Sequence, residues 1–164
     1  MHFRKVVEMA TNVPRMHLYL GTYEKAHGHV KEAIEQLQTV LRMPTEPTMK
    51  VDAYTYPGET YRELGDYPQS KENYMAALQM DPDKVIARIG MGVLAQKNGD
   101  LADAAAQYAR AVSSQPSDVG CLLLAQAQQK TGHTAEGQRA YERAKQISPD
   151  LKQAQRTVAS LLAN

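Results

Sequence analysis

Four kinds of residue in this chain could do chemistry, and each can be weighed by what its neighbours supply. Cys121 is the single cysteine. A thiol attacks as thiolate and needs a base and an orienting group brought beside it. Cys121 falls four residues into an apolar-periodic segment, on the side expected to face a packed interior, where a cysteine behaves as a small inert apolar group. The histidines are His2, His17, His27, His29 and His133. His27 and His29 flank Gly28, and His133 follows a similar glycine far along the chain, so they do not form the four converging ligands of a structural zinc site. Solvated turn histidines are expected there, with no metal and no cofactor. The glycines form neither G-x-x-x-x-G-K-[ST] nor a strand-following G-x-G-x-x-G, and IGMG at 89–92 falls inside a helical segment. Glu59 and Glu63 stand one helical turn apart, a solvated or groove-lining pair rather than an acid and a base. The expectation is a non-catalytic chain.

Composition narrows the class further. The chain has 164 residues, the length of one ordinary domain, and a formal net charge of +1. Balanced signs lack the concentrated basic footprint of a nucleic-acid binder. No run approaches 18 apolar residues, so no direct membrane insertion is expected. The first fifteen residues, MHFRKVVEMATNVPR, do not read as a secretory signal. A lone cysteine leaves the redox compartment open, and cytoplasmic and periplasmic locations both fit.

The elements that position these residues come from an internal repeat. Gly28, Gly65, Gly99 and Gly132 lie about 37, 34 and 33 residues apart, near the period of helix–turn–helix repeats. Upstream of each stands a small residue: Gly21, Gly58, Gly92 and Ala125. Downstream stands a second small column, Ala33, Ser70, Ala104 and Gly137. A bulky column follows, Leu37, Tyr74, Tyr108 and Tyr141, and then Val40, Ala77, Ala111 and Ala144. Pro82, Pro116 and Pro149 close three of the units, with Pro44 beside Thr45 in the first. The small columns let two antiparallel helices approach closely. The glycines suit a positive φ at a helix end, and the prolines stop the second helix or open the next. The bulky column is expected to fill the space between successive hairpins. Helices are predicted over 2–11, 14–27, 30–42, 51–64, 67–79, 84–97, 101–113, 117–130, 134–146 and 150–162, with 43–50 non-helical.

On these columns, and on ENYMAALQMDP at 72–82, the chain resembles the tetratricopeptide repeat family. Its usual Trp or Leu early in the first helix is replaced by His17, Tyr54, Arg88 and Cys121. The resemblance implies an all-α, right-handed superhelical solenoid of antiparallel helix hairpins. Repeats would span 14–47, 51–84, 85–118 and 118–151, with a partial N-terminal helix at 1–13 and a C-terminal capping helix at 152–164. In the first, Phe3 and Val6 fall in the columns of Tyr74 and Ala77. In the last, Ala159 falls in the small column, with Val158 and Leu162 apolar and Lys152, Gln153, Gln155 and Arg156 opposite. A half-hairpin at each end suits a piece of a longer array.

The resemblance also implies a concave face lined by first helices, which in the family receives a protein or peptide. The register assigns Arg15, Leu18, Thr22 and Lys25 to it, then Thr55, Tyr56, Glu59 and Arg62. Ile86, Ile89, Val93 and Gln96 follow, and then Leu122, Gln126 and Gln129. Some members of the family clamp a peptide carboxylate with asparagines at positions held here by Thr22, Glu59, Val93 and Gln126, so that mode is not expected. Ile86, Ile89, Val93 and Leu122 form an apolar stripe with two open readings, a partner site or packing between first helices. Pro57 inside a predicted helix suggests a kink or a late helix start, with Tyr54 and Tyr61 packed and Tyr56 accessible. The expected function is a non-catalytic protein-interaction scaffold. The alternative is a structural or oligomerising segment of a larger, membrane-associated protein, self-associating through its terminal half-repeats.

Overall fold

The structure is a computed structural model that describes residues 13–163. The expected helix at 2–11, with Phe3 and Val6, lies outside the described residues. All regular elements among the described residues are α-helices. The chain divides into two compact units, one ending at Pro82 and one beginning at Asp83.

The first unit holds two hairpins. Helices α1 (Pro14–Ala26) and α2 (Val30–Arg42) form one, α3 (Pro47–Glu63) and α4 (Tyr67–Met80) the other. The second unit holds α5 (Val85–Lys97) with α6 (Leu101–Ser114), α7 (Asp118–Lys130) with α8 (Thr134–Ile147), and a last helix, α9 (Lys152–Ala163).

Each hairpin turns the same way because each carries the same capping chemistry. Gly28, Gly65, Gly99 and Gly132 have φ of 79°, 78°, 83° and 84°, a region where a side chain would be strained. The residue after each glycine donates its N–H back to the first helix, as His29 to Glu24 O at 2.9 Å and His133 to Gln128 O at 2.8 Å. The glycine N–H bonds inside that ring, Gly28 to Lys25 O at 3.0 Å, which completes a Schellman motif. Asp66 and Asp100, next after two of the glycines, then cap the second helices by accepting from Gln69 and Asp103 N–H.

Small residues bring the paired helices together. A Cβ on Gly21 would sit 2.7 Å from Leu37 Cγ, one on Gly58 2.7 Å from Tyr74 Cδ1, and one on Gly92 2.4 Å from Tyr108 Cε1. The bulky column therefore lies over the small column of its own hairpin, not between hairpins as the register suggested. The reason is antiparallel pairing: the turn folds the bulky position directly back onto the small one. Ser70, the polar member of the second small column, is fully buried and donates its hydroxyl to Gly58 O at 2.7 Å.

Two expectations about the second hairpin need correction. Residues 47–50 are the first turn of α3, because Pro47 sits at the first helical position, where its missing N–H costs nothing. Helix α3 then runs through Pro57 to Glu63 without a break, so no late start occurs there. Tyr54, Tyr56 and Tyr61 are all half-buried, so Tyr56 is not singled out by exposure.

Candidate functional site

In the first unit the first helices are α1 and α3, and their shared face is open. A groove of about 660 Å³ is lined by Arg15, Leu18, Tyr19 and Thr22 from α1, and by Thr48, Met49, Asp52 and Tyr56 from α3, with Glu46 at its edge. Leu18 is buried in a small apolar cluster with Leu37, Val40 and Ala53, and Met49 and Tyr56 pack against that cluster. They make the apolar floor. Arg15 supplies positive charge to the lining, and Glu46 and Asp52 supply negative charge. The Thr22 hydroxyl donates to Tyr19 O at 2.9 Å.

Beyond the groove, α1 and α3 are tied by charge. Lys25 Nζ lies 3.1 Å from Glu63 Oε1 and 3.7 Å from Glu59 Oε2. Glu59 and Lys25, assigned to the binding face by register, are thus engaged with one another. Thr55 and Arg62 were assigned to the same face and are buried instead. The Thr55 hydroxyl returns to Val51 O at 2.7 Å, and Arg62 hydrogen-bonds the Tyr74 side chain. Burial pushes the Tyr74 phenol far above its usual range, and the Glu59 charge adds to the rise, while Arg62 opposes it. Sequence reasoning missed Tyr19, Glu46, Thr48, Met49 and Asp52 as groove lining. The signal was present in Pro47: moving the start of α3 back by one turn brings Thr48 and Met49 into the helix.

The second unit treats the corresponding face differently. Val93 and Leu122, predicted as groove residues, are buried in one large apolar cluster, and Ile89 packs against it. Leu151, Ala154 and Val158 belong to that same cluster, with Leu161 and Leu162 alongside. Helix α9 supplies the covering. It packs mainly on α7 and reaches α5, the two first helices. Of the apolar stripe, only Ile86 is exposed. Gln96 accepts a long hydrogen bond, 3.4 Å, from the Tyr108 hydroxyl. Gln126 is half-buried and Gln129 is exposed. Ala159 is exposed too.

Cys121 is fully buried, in the interior as its register implied. Burial raises its thiol pKa, with the nearby Arg143 charge pulling weakly the other way. His27, His29 and His133 are exposed, as expected of turn residues. His29 Nδ1 lies 2.5 Å from the buried Glu24 carboxylate. His17 fills the Trp-or-Leu position of the repeat, where it is buried with Nδ1 2.7 Å from Gln36 Oε1. No described helix is long and apolar enough to cross a membrane.

Helix hairpins closed by left-handed glycines, with first helices aligned on one face of each unit, define an all-α helical-repeat protein. Tetratricopeptide repeat family models match residues 58–119 and 120–151. The chain belongs to the tetratricopeptide repeat family, whose fold serves as a protein-interaction scaffold. Over 93 residues it is 30% identical to the Mus musculus protein O-mannosyl-transferase TMTC1, a stretch that is 57% of this chain and 10% of that protein. The chain thus spans about a tenth of the curated relative it matches.

Solved structures share the fold at low identity. TTC0263, a thermophilic tetratricopeptide protein of Thermus thermophilus, superposes with a TM-score of 0.72 at 21% identity, covering 99% of this chain and 88% of that one. MamA gives 0.72 at 19%, covering 93% and 87%. YrrB, described as a tetratricopeptide protein with an unusual peptide-binding site, gives 0.67 at 17%, covering 94% and 79%.

Proposed function

We propose that the chain is a non-catalytic scaffold that holds an extended peptide of a partner protein against α1 and α3. The observation that carries this reading is the open groove of about 660 Å³ in the first unit. Its floor of Leu18, Met49 and Tyr56 suits an apolar side chain. Arg15 on one side, with Glu46 on the other, suits a peptide carrying both charges. Of the residues assigned from register, Arg15, Leu18, Thr22 and Tyr56 serve this groove. Lys25 and Glu59 brace its helices.

The test is capture of peptides from a random phage-displayed library by the whole chain, followed by groove variants. Arg15→Glu reverses a charge and Thr22→Arg fills the space. Each is expected to weaken captured peptides by roughly tenfold or more, about 1.4 kcal/mol, with unfolding midpoints unchanged. Peptides that bind both variants as well as the parent chain refute the groove. A second reading, an interaction segment within a larger protein, is supported by the match to a tenth of a far longer relative. The full reading frame decides it.

A further inference from the structure

The second unit has a cavity of its own, of about 240 Å³, among α6, α7 and α8. None of its lining comes from α5 or α9. Its apolar part is Val112 of α6, Cys121 and Leu124 of α7, and Ala140 of α8, all buried. Glu136, Arg139 and Arg143 of α8 are exposed at its rim, and Gln128 of α7 completes it.

The hairpin register orders these residues along the cavity. Counted outward from Gly132 at the turn, Gln128 and Glu136 are each four residues away, Leu124 and Ala140 eight, and Cys121 and Arg143 eleven. Antiparallel helices set such pairs side by side. Two contacts agree: a Cβ on Gly137 would meet Ala125 O and Gln129 N across the hairpin, and the Arg143 charge acts on the Cys121 thiol. The cavity thus has a Gln128–Glu136 end and a Cys121–Arg143 end. Seven residues of α7 separate them, about 10 Å at the rise of a helix.

Each end holds a group that wants a partner. Gln128 Oε1 is buried and accepts no hydrogen bond among the described residues. Such an acceptor is uncommon in folded proteins and is costly unless water or a ligand supplies a donor. At the other end Arg143 makes no hydrogen bond or ion pair among the described residues. Arg139, by contrast, is held by Glu136 at 3.0 Å.

We propose that this cavity binds a small, elongated hydroxyaryl alkanoic acid, with its carboxylate at one end and its hydroxyl at the other. The carboxylate pairs with Arg143 in a charge-assisted bond. The ring lies over Val112, Leu124 and Ala140, and the hydroxyl donates to Gln128 Oε1. The Gln128 amide turns about its last torsion, which is broad, to meet it. The span between the two ends is too long for a short acid. A second carboxylate is disfavoured because it would meet Glu136. A flat ring fills the slot while giving up little freedom on binding. The site shares no residue with the groove of the first unit, and either proposal can fail alone.

The test is titration of the whole chain with 3-(4-hydroxyphenyl)propanoate, followed by amide NMR shifts. Saturable binding in roughly the millimolar range is expected, as suits an acid of this size, with the shifts concentrated in α7 and α8. 3-Phenylpropanoate lacks the hydroxyl and 3-(4-hydroxyphenyl)propanamide lacks the charge. Each is expected to bind at least roughly fivefold more weakly. Arg143→Gln should weaken the hydroxylated acid roughly tenfold, and Arg143 is exposed, so the variant keeps the fold. Gln128→Leu should abolish the preference for the hydroxylated acid and leave 3-phenylpropanoate binding as it was. If Gln128→Leu fails to fold, Gln128→Met serves in its place. No saturable binding to the parent chain, shifts confined to other helices, or equal affinity for the three probes overturns the proposal. So does an Arg143→Gln chain that binds the hydroxylated acid as tightly as the parent.

Discussion

The two units repeat one hairpin plan and stabilise it by different means. Among the described residues, the buried histidine, glutamate, arginine, serine and threonine side chains all belong to the first unit: His17, Glu24, Thr55, Thr60, Arg62 and Ser70. In the second unit a single apolar cluster runs from Val93 through Tyr108 and the Leu122–Leu124 run to Val158. The first unit's apolar cluster is small, centred on Leu18, Leu37, Val40 and Ala53. Buried polar groups must each be matched, so they favour one arrangement without adding much net stability. Apolar contacts add stability with little demand on partner geometry. The first unit thus keeps an open face over a partly polar interior, and the second has a stronger core whose face is closed by the chain's own helix.

Three measurements test that contrast, and the first has the greatest expected consequence. Leu123 is fully buried in the second unit's cluster. Leu123→Ala should cost about 2–5 kcal/mol in urea unfolding, the range for a cavity in a packed interior. A loss below about 1 kcal/mol would mean that the cluster can collapse around the gap, and the description of a stronger core would fail.

Alkaline pH comes next and acts on the first unit. Tyr74 holds its proton more tightly when folded than when unfolded, because burial penalises the phenolate. Above the ordinary tyrosine value near 10, the unfolded chain loses this proton first. The stability that Tyr74 contributes is therefore intact below about pH 10 and falls by up to about 1.4 kcal/mol per pH unit above it. Tyr74→Phe should lessen that slope. An unchanged slope would show that the buried phenol is not what limits this unit in alkali.

The smallest effect belongs to the bracing ion pairs. Lys25 is partly exposed beside Glu59 and Glu63, so Lys25→Met should cost about 0.2–1 kcal/mol at low salt and nearly nothing at high salt. A loss that persists in salt would place the bracing in packing of the lysine stem instead of charge.

Much of this was legible before the fold was known. Gly28, Gly65, Gly99 and Gly132 mark turns that only a residue tolerant of positive φ accepts, and local chemistry decides such turns. The buried state of Cys121 followed from its place in the register. Pro57 misled, because a helix already held on both sides by α2 and α4 tolerates the loss of one hydrogen bond. Arg62 misled for another reason. Its register faced the groove, yet its guanidinium reaches the Tyr74 side chain in the hairpin interior.

Local sequence chemistry sets the hairpins: small columns opposite bulky ones, and turns that can close in one way. Which first-helix face stays open was decided by the tertiary structure alone. Val93 and Leu122 are as apolar in a groove as in a core, and nothing local distinguishes the two. The distinction depends on where α9 comes to rest, and that is set by competition between distant apolar faces for the same side chains.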